Sequence, residues 1–370
     1  MIAEPRICGK AVLELAAYKH VFDVSELPMS KKNKKNVTIK DIADLVGVHH
    51  STVSRALSRD QRSKISPSVV RKVEKAAEKL HYYPNVAASA LKQNRSFAVG
   101  VLIPDLMNPV FPPIIRGIED TLESETYMLI TANTDDTLDK EWQALRMMRG
   151  RSIEGLIIAT ARREDAIVDE CIESEIPFVL VNRSVDRGGV NAVISDEDYG
   201  IRATLDHLTD LGHERIAYIA GPDDTSTGHE RRESFVNNMR LRGLNSDIVV
   251  MTDHFTIEEG KRVLAELLDS GADFTAVVAG NDLIALGCVD ALTEAGKKVP
   301  EDVSVVGSND MPMLSRMSPP LTTVRIPKYE MGAQAAKALL DTISGQWLEP
   351  VVVRLQPRLI VRNSTARAKT

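Results

Sequence analysis

The stretch Val37 to Leu57, VTIKDIADLVGVHHSTVSRAL, decides how the chain begins. Ile39, Ile42, Ala43 and Val46 recur at helical spacing, Gly47 interrupts, and Val53, Ala56 and Leu57 resume the apolar side of a second short helix. Ser66 as N-cap and Pro67 at the first helical position open a third, with Val69, Val70, Val73, Ala76, Ala77 and Leu80 facing inward. Three short helices sharing one apolar face, the first two joined by a tight turn at Gly47 and Val48, have the spacing of a helix-turn-helix. That motif lays its second helix in a DNA groove.

Charge supports the same reading. Residues 29–96 hold 15 Lys and Arg against 5 Asp and Glu, whereas residues 97–370 hold 28 against 43, within a net charge of −6 for all 370 residues. A basic head on an acidic body fits a head that meets a polyanion and a body that repels it. Lys31, Lys32, Lys34 and Lys35 either add nonspecific attraction or form a solvated tail. Residues 1–28 read either as an upstream extension of the start site or as a flexible leader, with no secretory signal pattern. The three cysteines, Cys8, Cys171 and Cys288, have no zinc-site spacing, and no apolar run is long enough to span a bilayer. A reduced, cytoplasmic protein without metal, cofactor or membrane association is expected.

Beyond Pro84 and the linker Lys92 to Ser96, short apolar runs alternate with helical segments. FAVGVLI, YMLITAN, EGLIIA, PFVLVN, RIAYIAG, TAVVAG and VSVVG read as strands buried on both faces; residues 136–149, 198–211, 229–242, 256–270 and 281–296 read as helices. Some 270 residues of this pattern predict two doubly wound parallel-sheet lobes. Ligands of such sheets bind beyond the carboxyl ends of strands, which marks the segments after Ile103, Asn133, Val181, Gly221, Gly280 and Gly307.

The helix-turn-helix segment, YYPN, VAASAL, GPDDTSTGHERRESF, GND, VSVVGSND and PPLTTVRIP, in that order, resemble the lactose-repressor and galactose-repressor family of bacterial transcription regulators from about Val37 to Arg362. The resemblance implies an all-α DNA-binding head, a hinge helix and a body like periplasmic sugar-binding proteins. It divides the chain into a leader (1–36), a helix-turn-helix domain (37–84), a hinge and linker (85–96) and an effector-binding and dimerisation body (97–370). By the same resemblance, Thr38, Thr52, Ser54 and Arg55 grip phosphates or start the recognition helix, and His49, His50 and Ser51 read base edges. Asn85, Ala88 and Leu91 belong to the hinge helix, with Leu91 as the wedge in the minor groove.

The effector candidates are Phe111, Asn182, Thr225, Thr227, Arg231, Asn281 and Asn309. Arginine offers a fork of donors to hydroxyl or carboxylate groups. Asn281 reads equally as a helix cap. Where the family motif has Gly, aromatic, Asp, Asp, this chain has Gly307, Ser308, Asn309 and Asp310, and an amide in place of a carboxylate favours an anionic effector such as a sugar acid or phosphorylated sugar. His207, His213, His229 and His254 are scattered and no nucleophile or phosphate-loop motif occurs, so no catalytic site is expected. The partners implied are double-stranded operator DNA, a carbohydrate-derived effector and a second copy of the chain. With no leucine heptads after the body, a homodimer is the expected assembly. A transport receptor would share the body but has no use for residues 37–92, and an enzyme would need a fingerprint that the sequence lacks.

Overall fold

Thr38 opens the first helix because Asp41 accepts from both its backbone N–H and its hydroxyl, each at 2.7 Å. The computed structural model describes residues 37–57, 61–82, 95–346 and 349–369; Asn85, Ala88 and Leu91 and the leader fall outside the described residues. Two compact units separate, one within residues 1–85 and one within 86–370.

In the first unit, α1 (Ile39–Val46) and α2 (His50–Leu57) are followed by a single 3₁₀ turn (Arg62–Lys64) and α3 (Pro67–Lys79). Gly47 adopts φ +73°, and its N–H and that of Val48 both return to the Ala43 carbonyl, at 2.9 and 3.1 Å. That left-handed residue turns the chain in three residues and explains the glycine. Ile42, Ala43, Val53, Ala56, Val70, Val73, Ala76 and Ala77 form the shared core, with Ile39, Val46, Leu57, Val69 and Leu80 partly buried around it. The boundary at Ser66 and Pro67 is as expected, but the Ser66 hydroxyl pairs with Ser68 rather than with the helix backbone.

In the second unit the order is β1 (Ala98–Ile103), α4 (Phe111–Ser124), β2 (Met128–Asn133), α5 (Leu138–Gly150), β3 (Gly155–Ile158), α6 (Ala166–Glu173), β4 (Phe178–Val181) and β5 (Ala192–Ser195). There follow α7 (Glu197–Asp210), β6 (Ile216–Ala220), α8 (Ser226–Leu241), β7 (Val249–Met251), α9 (Ile257–Asp269), β8 (Ala276–Ala279), α10 (Asp282–Glu294), β9 (Ser304–Ser308) and β10 (Thr322–Arg325). The last elements are α11 (Lys328–Ile343), β11 (Val352–Leu355) and β12 (Arg358–Ile360).

These strands make two six-stranded sheets, β11-β5-β4-β3-β1-β2 and β12-β10-β9-β8-β6-β7. The first is parallel throughout, and the second is parallel except for β12, which runs antiparallel beside β10. Helices cover both faces: α4 and α11 against α5 and α6 in one lobe, α9 and α10 against α7 and α8 in the other. Two doubly wound lobes are therefore confirmed. The expectation that every strand is buried on both faces fails at β2, where Met128 is 66% exposed, because β2 is an edge strand with one side open.

Sheet membership shows that the chain crosses between lobes three times: after β5, after β10 and after β11. The crossings place the C-terminal elements α11 and β11 in the first lobe.

Candidate functional site

Between the lobes lies a narrow cavity of about 30 Å³, lined by Asn108, Val110, Phe111, Asn182 and Arg183 from the first lobe and Thr227, Arg231, Phe255, Asn281 and Asn309 from the second. That is well below the roughly 300–1,000 Å³ of ligand clefts. Most of these residues lie just beyond strand ends, as the topology of open parallel sheets demands, whereas Arg231 stands in the second turn of α8. Six of the seven effector candidates line it. The exception is Thr225, whose hydroxyl accepts from Gly228 N–H at 3.1 Å and donates to the Pro222 carbonyl at 2.9 Å; it caps α8 and is consumed by that role.

Arg231, 3% exposed, is engaged on both edges. Its Nε and Nη2 reach the Glu197 carboxylate at 2.5 and 3.0 Å, Nη1 donates to the Gly280 carbonyl at 2.6 Å, and Nη2 also reaches Asn309 Oδ1 at 3.4 Å. Glu197 opens the helix after the first crossing and is itself 6% exposed. The negative charge missing at Asn309 is thus supplied from Glu197, which the sequence reading did not single out. Asn309 is held at φ +112°, a strained conformation for a side-chain-bearing residue; its N–H bonds to the Val324 carbonyl at 2.7 Å and its own carbonyl accepts from Lys328.

Asn281 Oδ1 accepts from Ile284 N–H at 2.8 Å as the cap of α10, and the residue also lines the cavity. Its neighbour Asp282 is wholly buried, with Thr323 Oγ1 and Met311 N–H donating to it at 2.5 and 2.8 Å. Burial pushes its pKa up to about 7, against the pull of those two donors. Phe255 reaches the cavity because Gly221 leaves room, since a Cβ there would lie 2.1 Å from its ring.

Arg183, Asn108, Val110 and Phe255 are wall residues missed in the sequence, although three of them flank flagged strand ends. Arg183 is 6% exposed; its Nη1 lies 3.4 Å from Asp136 and 3.3 Å from the Thr160 carbonyl. At the cleft rim the lobes touch directly. Arg163 N–H donates to the Asp224 carbonyl and Ser184 N–H to Ser226 Oγ, each at 2.8 Å, while the Arg162 and Arg163 guanidinium groups face Asp224 and Asp223 at 3.6 and 3.7 Å.

Three of the four body histidines are occupied elsewhere. His213, buried between Thr275 Oγ1 and the Ala366 carbonyl, and His207 on Thr365 Oγ1, tie the last residues to the second lobe, all at 2.9 Å. His229 bonds to Asp223. Among the described residues no acidic, His or Cys cluster could hold a metal ion, and no helix is long and apolar enough to cross a membrane.

On the helix-turn-helix unit, His49, His50 and Arg55 are exposed and Ser51, Thr52 and Ser54 half-buried around the start of α2. His49 precedes the helix, and its carbonyl accepts from Thr52 N–H at 2.8 Å. Ser51 N–H points at His49 Nδ1 at 3.3 Å, with Ser51 Oγ 2.8 Å from the same nitrogen. Nδ1 is therefore an acceptor, and the proton of the neutral ring sits on Nε2. The His49 and His50 rings pack with centroids 4.1 Å apart.

Comparison with known proteins agrees with both units. Residues 38–85 match the model of the bacterial regulatory proteins of the lacI family, and residues 205–365 match a periplasmic binding protein-like domain. The ribose operon repressor of Bacillus subtilis is 32% identical over 330 residues, 89% of this chain and 99% of that protein. A crystal structure of the lac repressor dimer bound to operator and an anti-inducer superposes with a TM-score of 0.80 at 28% identity, covering 90% of this chain and all of the other. A regulator from Enterococcus faecium with bound ribose does so at 0.65 and 34% identity, covering 74% of this chain and all of the other. With its helix-turn-helix unit and two-lobed binding body matched over nine-tenths of its length, the chain belongs to the lacI family of DNA-binding transcription regulators.

Proposed function

We propose that this protein is a cytoplasmic repressor, acting as a homodimer on near-palindromic operator DNA and not as an enzyme, whose hold on the operator changes when a carbohydrate-derived effector occupies the cleft. The observation that carries the reading is the cavity wall, to which each lobe contributes five residues. A ligand touching both lobes prefers one closure angle, and only such a difference in affinity can shift the setting of two heads. The Bacillus relative named for the ribose operon and the ribose bound to the Enterococcus regulator support the ligand class; the lac repressor dimer supports the assembly.

At the DNA, α2 enters the major groove. His49 presents its Nε2–H to an acceptor on a base edge, with His50 and Ser51 alongside, while Thr38, Thr52, Ser54 and Arg55 take phosphates. Asn85, Ala88 and Leu91, outside the described residues, are assigned to the minor groove by the family pattern alone. Selection of duplexes from a random library with the full-length protein, followed by anisotropy titration with and without sugars, tests the whole. Enrichment of an inverted repeat whose affinity changes about 5-fold to 150-fold with one ligand, roughly 1–3 kcal/mol of coupling, is the expected result. Failure to enrich any sequence refutes it.

A further inference from the structure

The cavity wall carries two guanidinium groups and no carboxylate. Arg231 is matched beneath the wall by Glu197. Arg183 is not comparably matched: among the described residues its one ion pair is Asp136 at 3.4 Å, a side chain 42% exposed that also faces Arg162 at 3.3 Å. Both hydrogen bonds of Arg183 use Nη1, so its Nε and Nη2 have no acceptor among the described residues. The residue is 6% exposed and lines the cavity, and the unused edge of its guanidinium is accessible rather than sealed in the interior, so it is free to pair with a ligand there. The Nε–Nη2 edge is planar, with two parallel donors at the spacing of the two oxygens of a carboxylate.

The rest of the wall sets what the carboxylate is attached to. Asn182 and Asn309 offer amides, which donate to and accept from hydroxyl groups without adding charge, and Phe111 and Phe255 add apolar rings. We infer that the ligand of this cleft is a sugar acid, its carboxylate held bidentately on the Nε–Nη2 edge of Arg183. This rests on the cleft being the effector site.

Calorimetric titration of the full-length protein with matched pairs tests it: D-galactose against D-galacturonate, D-glucose against D-glucuronate and D-gluconate, with D-glucose 6-phosphate as the alternative anion. At least one acid is expected to bind about tenfold or more tighter than its neutral partner, the margin of a charge-assisted pair. Arg183→Gln removes that preference, and Arg183→Lys, which keeps the charge but not the fork, restores part of it. Should Arg183→Gln not fold, Arg183→Lys carries the test: it weakens the acid by a larger factor than the neutral sugar. Equal binding of acid and neutral sugar, preference for the phosphate, an acid preference that survives Arg183→Gln, or no binding of any acid overturns the inference. Phe111→Ala and Asn281→Ala separate the two layers of the argument. A neutral sugar whose binding they abolish leaves the cleft as effector site and removes only the carboxylate, whereas ligand binding that both leave untouched places the effector site elsewhere.

Discussion

Arg231 and Glu197 form a buried pair whose members cannot be removed singly without penalty. Arg231→Met deletes a guanidinium that is 3% exposed and strands a carboxylate that is 6% exposed, with its two bonds at 2.5 and 3.0 Å gone. Breaking such a pair from one side costs about 3–5 kcal/mol, because the remaining charge stays desolvated. For a body of this size each kcal/mol lowers the melting temperature by about 2–4 °C, so the loss is on the order of 6–20 °C. Glu197→Gln leaves the guanidinium charged but keeps one acceptor, and a smaller loss is expected. The double variant, Arg231→Met with Glu197→Gln, leaves no buried charge in the pair. Its loss should fall short of the sum of the singles by about 2–3 kcal/mol, the upper range for coupled neighbours. Urea unfolding of the full-length variants, followed by circular dichroism, measures all three. Additivity within about 0.5 kcal/mol refutes the pair as a coupled unit. The cycle also guards against a misreading: loss of effector response in Arg231→Ala alone reports stability as well as ligand contact.

Asp282 makes stability depend on pH in a definite direction. Its pKa is raised to about 7 in the folded chain from an ordinary 3.8, so its contribution is fully present below about 4 and is lost as pH rises through about 7; Asp282→Asn should flatten the melting temperature over that window, and an unchanged slope refutes the assignment. Asn309→Asp sets a second carboxylate beside the Arg231–Glu197 pair and should weaken a sugar acid far more than its neutral partner in the same titrations. Equal losses for both would show that charge at this position does not govern the choice. Gly47→Ala forces a side chain into φ +73° where nothing else crowds it; the first unit should lose about 1 kcal/mol in thermal melts while the second is unchanged. Arg163→Ala cuts the rim contact with Asp223 and should raise ligand association and dissociation rates together in stopped-flow measurements, with stability altered by less than about 1 kcal/mol.

The sequence by itself determined the local elements and their kind. Helical spacing across 39–57, a glycine where the turn needs φ +73°, and apolar runs of strand length each encode their structure within a few residues, where backbone sterics and side-chain periodicity act directly. The rule that ligands sit beyond strand ends then located most of the cleft wall, because topology fixes which ends converge. Tertiary structure alone decided the rest. The three crossings depend on short strands, β5, β10, β11 and β12, whose partners lie up to about 160 residues away and leave no local period. Glu197 and Arg231 are 34 positions apart, and Arg183 and Asp136 47. Whether a charged side chain is neutralised or left with an open edge depends on which distant groups the folded chain brings within about 4 Å, where burial makes Coulomb attraction and lost hydration large enough to decide what the cleft can bind.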